Sequence, residues 1–453
     1  MDTGMSDEPN DQDRYPTLTE AGRRMLRDLR EHPSAPMYRN QSGNRLTLED
    51  VSELRSFERE ILESAVDFLP NQTPAWVNEY VQRTFEDVPY YRSLGSPPKK
   101  FTDLPTISRA DLAADIAKFV PDSVSLNRLI NFRTTGTTGH PLLIASHPVV
   151  AGRYLAFHKR ALKRFGIELK HGRNQVGVVI LGNQRKCFTY VSVTPLMDES
   201  GLAKINLHPA DWNHPDDRAK YLDALDPEVY AGDPISFAEL LKLPITTTPR
   251  ALISVSMALS EGLRAKLEAR FACPVLDVYS MNEVGPIAVY DSNAGGHVLL
   301  QPQLFVEILD ANGDRVPSGQ HGEIVVTGGF NFCLPLLRYR TGDFGALVVG
   351  KEAPVITGLS GRQPIRFRAN DGRWLNNIDV SHALGAIPFS RYGLHQHADG
   401  SLALNIAMAE LSLAEKAKTA LELLFGDQPI TVIGLIAEDK FIQYTSDLEG
   451  AKQ

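Results

Sequence analysis

Between about Asn131 and Val349 short apolar runs alternate with amphipathic stretches, and this alternation limits the architecture more than any other feature of the chain. The runs QVGVVIL (175–181), PVLDVYS (274–280), FVEILD (305–310) and GEIVVTG (322–328) have the length and β-branched content of strands. Helical segments lie between some of them. In SEGLRAKLEARF (260–271), Ser260 is placed to cap the helix and Leu263 and Leu267 share one face. Such a chain satisfies its apolar surfaces by covering sheets with helices. The expected class is α/β, with mixed sheets and helices. Ala311-Asn-Gly-Asp314 predicts a hairpin turn, because Asn-Gly supplies positive φ.

The flanks differ. Residues 1–16 are polar and predict a disordered tail. From Thr17 to about Arg92 the periodicity is helical, with Ala21, Met25, Leu26 and Leu29 on one face, then Leu54, Phe57, Ile61, Leu62, Ala65 and Leu69 on another. Gly358-Leu-Ser-Gly-Arg362 reads as a boundary. A large domain is expected over 17–360 and a small α+β domain over 361–453. The small one has strands at LALNIAMA and ITVIGLIA around the helix SLAEKAKTALELLFG.

Composition removes several functions. Lys and Arg number 47 against 55 Asp and Glu, a formal charge of −8, which repels phosphate backbones and argues against nucleic-acid binding. Three cysteines, Cys187, Cys273 and Cys333, lack zinc-knuckle spacing. The acidic N-terminus has no apolar core of a signal peptide, and no apolar run approaches membrane-spanning length. A cytoplasmic protein without membrane contact is expected, as monomer or homodimer.

Four motifs carry chemistry. In Arg133-Thr-Thr-Gly-Thr-Thr-Gly-His-Pro141, six consecutive residues (Thr134, Thr135, Gly136, Thr137, Thr138, Gly139) are Thr or Gly. Glycines let the backbone approach a ligand, and consecutive amides with threonine hydroxyls suit a triphosphate. The spacing is not that of a P-loop, and a flexible polar loop is the alternative. Asp277-Val-Tyr-Ser-Met-Asn-Glu-Val-Gly285 ends a strand in a tyrosine, an amide and a carboxylate. There Tyr279 can stack on a purine and Glu283 can hold Mg²⁺, unless this is an ordinary strand–turn with a solvated acid. Leu336-Leu-Arg-Tyr-Arg-Thr-Gly-Asp343 places a carboxylate able to accept two ribose hydroxyls; a capping or surface Asp is the alternative. Gly358-x-x-Gly-Arg362 adds a cation.

In this order and at these separations, the four motifs resemble those of the adenylate-forming superfamily of acyl-CoA synthetases, adenylation domains and luciferases. Val88-Pro-Tyr-Tyr-Arg92, Leu104-Pro-Thr-Ile-Ser108 and Leu334–Asp343 are similar to the phenylacetate–CoA ligase-like branch, and the likeness covers roughly residues 60 to 448. It implies a large N-terminal ATP- and acid-binding domain with a small C-terminal lid. It also implies that Thr134–Gly139 cradle the ATP phosphates, that Ser256 and Met257 line one face of the adenine and Tyr279 the other, and that Asn282 lies by the α-phosphate. The Asp277 strand closes the same nucleotide site. Glu283 would ligate Mg²⁺, and Asp343, helped by Arg362, would bind the ribose. Lys440 would bridge the substrate carboxylate and the α-phosphate. The chain departs from the family at His140, where lysine is usual, at Ser280 and Asn282, and at Gln363-Pro364 after the hinge arginine.

The expected activity is adenylation of an aromatic carboxylic acid, amino- or hydroxy-substituted, to an acyl-AMP. Transfer follows to CoA or to a small hydroxyl or amine nucleophile, with the proline at the hinge favouring an acceptor other than CoA. Asn183, Lys186, Phe188, Tyr190, Asp233 and Met281 are the pocket candidates. Three other functions fit the sequence: an aryl–CoA ligase, activation of nitrite onto an aryl amine, and a nucleotide-binding homologue without turnover.

Overall fold

Strands form where the apolar runs predict them, because each run is buried on at least one face. The computed structural model describes residues 10–133, 142–361, 365–435 and 443–451. The chain divides into two compact units. Met1–Glu63, Pro148–Ile253 and Phe271–Pro274 form the first; Ser64–His147, Ser254–Arg270 and Val275–Gln453 form the second.

In the first unit the strands lie in the order Ala251–Ser254, Val229–Gly232, Val176–Gly182, Ser200–Asn206, Tyr190–Thr194. Val176–Gly182 is parallel to both neighbours, and Tyr190–Thr194 runs antiparallel to its partner. A strand inside such a sheet is covered on both faces, which is why its sequence is almost continuously apolar. Helix Glu20–Glu31, capped by Thr19, buries Gly22, Met25, Leu26 and Leu29. Helix Leu48–Glu63 packs on Pro148–Arg164, where Lys159 reaches both oxygens of Glu58 at 2.8 Å.

Two expectations fail here. From residue 10 on, the predicted tail is ordered. Asn10 caps the short helix Asp11–Arg14, and Tyr15 is fully buried with its hydroxyl 3.3 Å from the Val191 carbonyl. One large apolar ring is enough to anchor a polar segment. The helical period read to Leu69 stops at Glu63. Beyond it Val66 and Phe68 are buried while Ala65 and Leu69 are exposed, an alternation of period two.

The second unit holds an antiparallel sheet in the order Leu304–Leu309, His321–Gly328, Leu336–Val348, Val355–Gly361, Gly296–Leu299, Gly285–Asp291, Val275–Met281. The predicted turn at 311–314 is present, with Gly313 at φ 87° and a Leu309–Arg315 bridge closing it. Helix Glu261–Phe271 starts as expected, the Ser260 hydroxyl accepting the Leu263 amide at 3.3 Å.

Residues 365–451 carry a core of their own, including Phe367, Val380, Leu384, Leu404, Leu421 and Phe425. Strands Ile430–Leu435, Leu402–Ala407, Tyr392–Gln396 and Tyr444–Ser446 lie side by side in that order, with helices Asn377–Gly385 and Ala414–Phe425. Among the described residues no helix is long and apolar enough to cross a membrane.

Candidate active site

The site is organised by strand Leu336–Val348, to which three distant segments attach. The Leu337 amide donates to the Tyr91 hydroxyl at 2.9 Å. Ile107 runs beside Tyr339, its amide donating to the Arg338 carbonyl at 3.1 Å and its carbonyl accepting from Arg340 at 2.8 Å. Buried Arg338, held at φ 46°, donates to the Thr102 and Leu104 carbonyls at 2.7 and 2.8 Å. The Val88–Arg92 and Leu104–Ser108 motifs are thus fastened to the third motif itself. Ser108 then caps helix Arg109–Ala114 through a reciprocal bond with Asp111, which sets Arg109 at the first helical position.

Glu283 follows strand Val275–Met281 and is only 4% exposed. Its Oε1 accepts from the Tyr339 hydroxyl at 3.1 Å and lies 3.4 Å from Arg109 Nη1. A buried carboxylate needs such donors, since an unpaired one is strongly disfavoured. On the same strand Tyr279 packs against the core and its hydroxyl donates to Asp343 Oδ2 at 2.8 Å. The site therefore contains two phenol–carboxylate pairs. Burial, reinforced by the neighbouring negative charge, pushes both phenols far above their ordinary pKa, Tyr279 beside Asp343 and Tyr339 beside Glu283. Each stays a neutral donor to its carboxylate.

Asp343 is aimed by the turn before it. Gly342 adopts φ 77°, which a side chain disfavours, and its amide donates to Glu323 Oε1 at 3.2 Å. Arg340 pairs with the same Glu323, its Nε at 2.8 Å, so this arginine is structural. Asp343 lies opposite Gly361 on the next strand.

The other predicted residues are distributed as follows. Asp277 Oδ2 is 3.8 Å from both Arg264 Nη2 and His297 Nε2, so its carboxylate faces a guanidinium and an imidazole. Asn282 is exposed in the turn before Glu283. Ser256 and Met257 follow strand Ala251–Ser254, with Ser256 exposed at φ 72°. Asn183, Lys186, Phe188, Tyr190 and Asp233 belong to the first unit and Met281 to the second. Phe188 is 54% exposed and meets Tyr190 edge-on at 5.6 Å. Asp233 caps helix Pro234–Leu240, accepting from the Ser236 amide at 2.7 Å, a duty its Asp-Pro-x-Ser sequence could have announced. Thr134–Gly139, His140, Arg362, Pro364 and Lys440 lie outside the described residues; strands Ile130–Arg133 and Leu143–Ser146, which flank the Thr/Gly segment, pair antiparallel. Sequence reasoning missed Arg109 and Tyr339. The capping box at Ser108 was readable, but not its destination 174 residues away.

Glu283 has the character Mg²⁺ requires: a hard oxygen donor, buried, with both of its contacts among the described residues on one oxygen.

Comparison with known proteins agrees with this geometry. Residues 200–332 match the family model described as AMP-binding enzyme. Protein CapK of Staphylococcus aureus is 24% identical over 301 residues, 62% of this chain and 63% of that protein. A phenylacetate-coenzyme A ligase of Pseudomonas putida is 33% identical over 110 residues, 22% of this chain and 25% of that enzyme. The chain thus spans under two thirds of the length of these relatives. Among solved structures, a 2-hydroxyisobutyryl-CoA ligase in the postadenylation state has a TM-score of 0.59 at 16% identity, covering 85% of this chain and 95% of that one, a likeness of fold. Residues 200–332 thus resemble AMP-binding enzymes, and phenylacetate-coenzyme A ligases are among the relatives of the chain.

Proposed function

We propose that the protein is an ATP-dependent, AMP-forming ligase that adenylates an aromatic carboxylic acid. The observation that carries this is the Tyr279–Asp343 hydrogen bond beside the buried Glu283. It joins two motifs 64 residues apart, which supports reading them as one platform for ribose and base next to a carboxylate suited to a metal. In this reading Asp343 accepts the ribose hydroxyls and Tyr279, fixed at its hydroxyl, offers its ring to the adenine. Glu283 holds Mg²⁺, which when bound neutralises charge on the phosphates. A carboxylate oxygen of the acid attacks the α-phosphorus, the bond to the β-phosphate breaks, and pyrophosphate leaves. Lys440 stabilises the charge that builds on the α-phosphate, and residues 361–453 act as the lid that excludes water.

The aromatic preference is supported by the phenylacetate-coenzyme A ligase relatives and by the Phe188–Tyr190 pair, with Asn183 and Lys186 as polar neighbours of a substituted benzoate. The acceptor attacks the acyl carbonyl and AMP leaves. Pro364 favours an amine or hydroxyl acceptor, whereas the same relatives favour CoA.

Pyrophosphate exchange across substituted benzoates, phenylacetates and aliphatic acids tests the proposal. Exchange with an aryl acid is expected; exchange with aliphatic acids alone, or with none, refutes it. CoA consumption then separates the two acceptors. Lys440→Ala should lower exchange by about a hundredfold or more while ATP affinity changes little, because the ammonium acts mainly in the transition state. Near wild-type exchange in that variant would return Lys440 to an ordinary surface role.

A further inference from the structure

The small core at 365–451 carries a cluster that adenylation does not use. Strand Tyr392–Gln396 alternates buried and outward residues: Leu394 and Gln396 are buried, at 1% and 0% exposure, while His395 and the following His397 face outward together. Gln396 fixes this register, because its amide donates to the Arg368 carbonyl at 2.8 Å and accepts the Arg368 amide at 2.8 Å. The parallel neighbour Tyr444–Ser446 pairs His395 with Thr445 and Gln396 with Ser446. The next residue, Asp447, donates its amide to the Gln396 carbonyl at 2.9 Å. His395 is thereby set by strand pairing and Asp447 by its backbone bond to Gln396, while His397 opens a turn, its amide donating to the Ser401 carbonyl at 2.9 Å.

Their ligand atoms lie within 4.8 Å of one another. His395 Nε2 is 3.1 Å from Asp447 Oδ2, and His397 Nδ1 is 4.0 Å from the same oxygen. Ligands about 2.0–2.2 Å from a tetrahedral ion stand roughly 3.4 Å apart, so a small turn of the half-exposed His397 ring closes the set. The other nitrogen of His395, Nδ1, is 2.8 Å from Thr445 Oγ1. With Nδ1 protonated and donating to that hydroxyl, Nε2 carries the lone pair that a metal ion needs, and Thr445 is then the outer partner of a metal-bound histidine.

We propose that His395, His397 and Asp447 bind a divalent first-row transition ion, Zn²⁺ in the first instance, as a clip holding the terminal strand to the sheet. Two imidazoles and one carboxylate suit Zn²⁺ and its neighbours, while Mg²⁺ and Ca²⁺ prefer sites made of oxygen alone. Three protein ligands leave a coordination position for water. The proposal does not depend on the adenylation reading.

The test is calorimetric titration of the EDTA-stripped full chain with Zn²⁺, repeated with Mg²⁺ in excess. One Zn²⁺ per chain is expected, undisturbed by Mg²⁺, with a rise in melting temperature. His395→Ala, His397→Ala and Asp447→Asn should each abolish the calorimetric signal or weaken it at least tenfold. Thr445→Val, which removes only the outer partner, should weaken it by about 10- to 100-fold. If an alanine variant does not fold, His395→Gln and His397→Gln replace it. No saturable Zn²⁺ binding, binding displaced by Mg²⁺, or wild-type affinity in all the folded ligand variants would overturn the site.

Discussion

Each of the two tyrosines in the site orients a carboxylate through a hydrogen bond, and removing either partner exposes the arrangement. Asp343→Ala deletes the proposed ribose acceptor and the 2.8 Å partner of the Tyr279 hydroxyl. A hydrogen bond to a charged group is worth about 1.5–3 kcal/mol, so ATP affinity should fall roughly 10- to 150-fold, read by calorimetry. An unchanged affinity would remove Asp343 from the nucleotide site. Tyr279, Glu283 and Asp343 were legible in the sequence because each ends or follows an apolar run within a motif. Arg109 and Tyr339 were not, since nothing local in RADL or LRYR shows that both converge on one carboxylate. Asp233, a polar pocket candidate, caps the helix after it, a duty written in the Pro and Ser that follow.

At the scale of elements, helix Glu261–Phe271 meets the segment before strand Tyr392–Gln396 so closely that only glycine fits. A Cβ on Gly262 would sit 2.5 Å from the Ala386 carbonyl oxygen and 2.6 Å from the Pro388 nitrogen. The Ser260 hydroxyl, besides capping the helix, donates to the Phe389 carbonyl at 2.9 Å. Gly262→Ala must push two backbones apart. It should cost about 1–3 kcal/mol, the usual range for overpacking, measured by denaturant unfolding with an unchanged slope. An alanine variant as stable as the parent would show that this contact is not held in solution. The helix itself was predictable from Ser260, Leu263 and Leu267, because capping and periodicity are local. The close approach at Gly262 was not, because it depends on residues more than 120 positions later.

For the molecule as a whole, stability should respond to pH at both ends. Burial raises the hydroxyl pKa of Tyr91, Tyr279 and Tyr444 well above 10. Stability tied to these phenols is complete below pH 10 and is lost as pH climbs above it, where the unfolded chain releases protons that the folded one retains. Burial also lowers the His158 imidazole from 6.5 to about 4. That contribution is complete above pH 6.5 and is lost as pH falls from 6.5 towards 4. Melting temperatures across pH 4–11 should therefore fall at each end, and His158→Gln should flatten the acid side alone; an unaltered acid slope in that variant would exclude His158. The α/β class followed from alternation of apolar runs and helices, yet the composition of the sheets did not. Parallel and antiparallel strands here have similarly apolar sequences, and only pairing across the fold distinguishes them.

The attachment of Tyr91 to Leu337 spans 246 residues. At a synthesis rate of 5–20 residues per second, about 12 to 50 s separate the emergence of the first partner from that of the second. During that interval Tyr91 and Ile107 have been made but the strand to which they attach has not. A nascent chain released before strand Leu336–Val348 has neither the strand that fastens them nor Asp343. If Asp343 serves the proposed nucleotide site, ATP does not then stabilise the half-made domain, and protection of those early segments falls to whatever meets the chain as it leaves the ribosome.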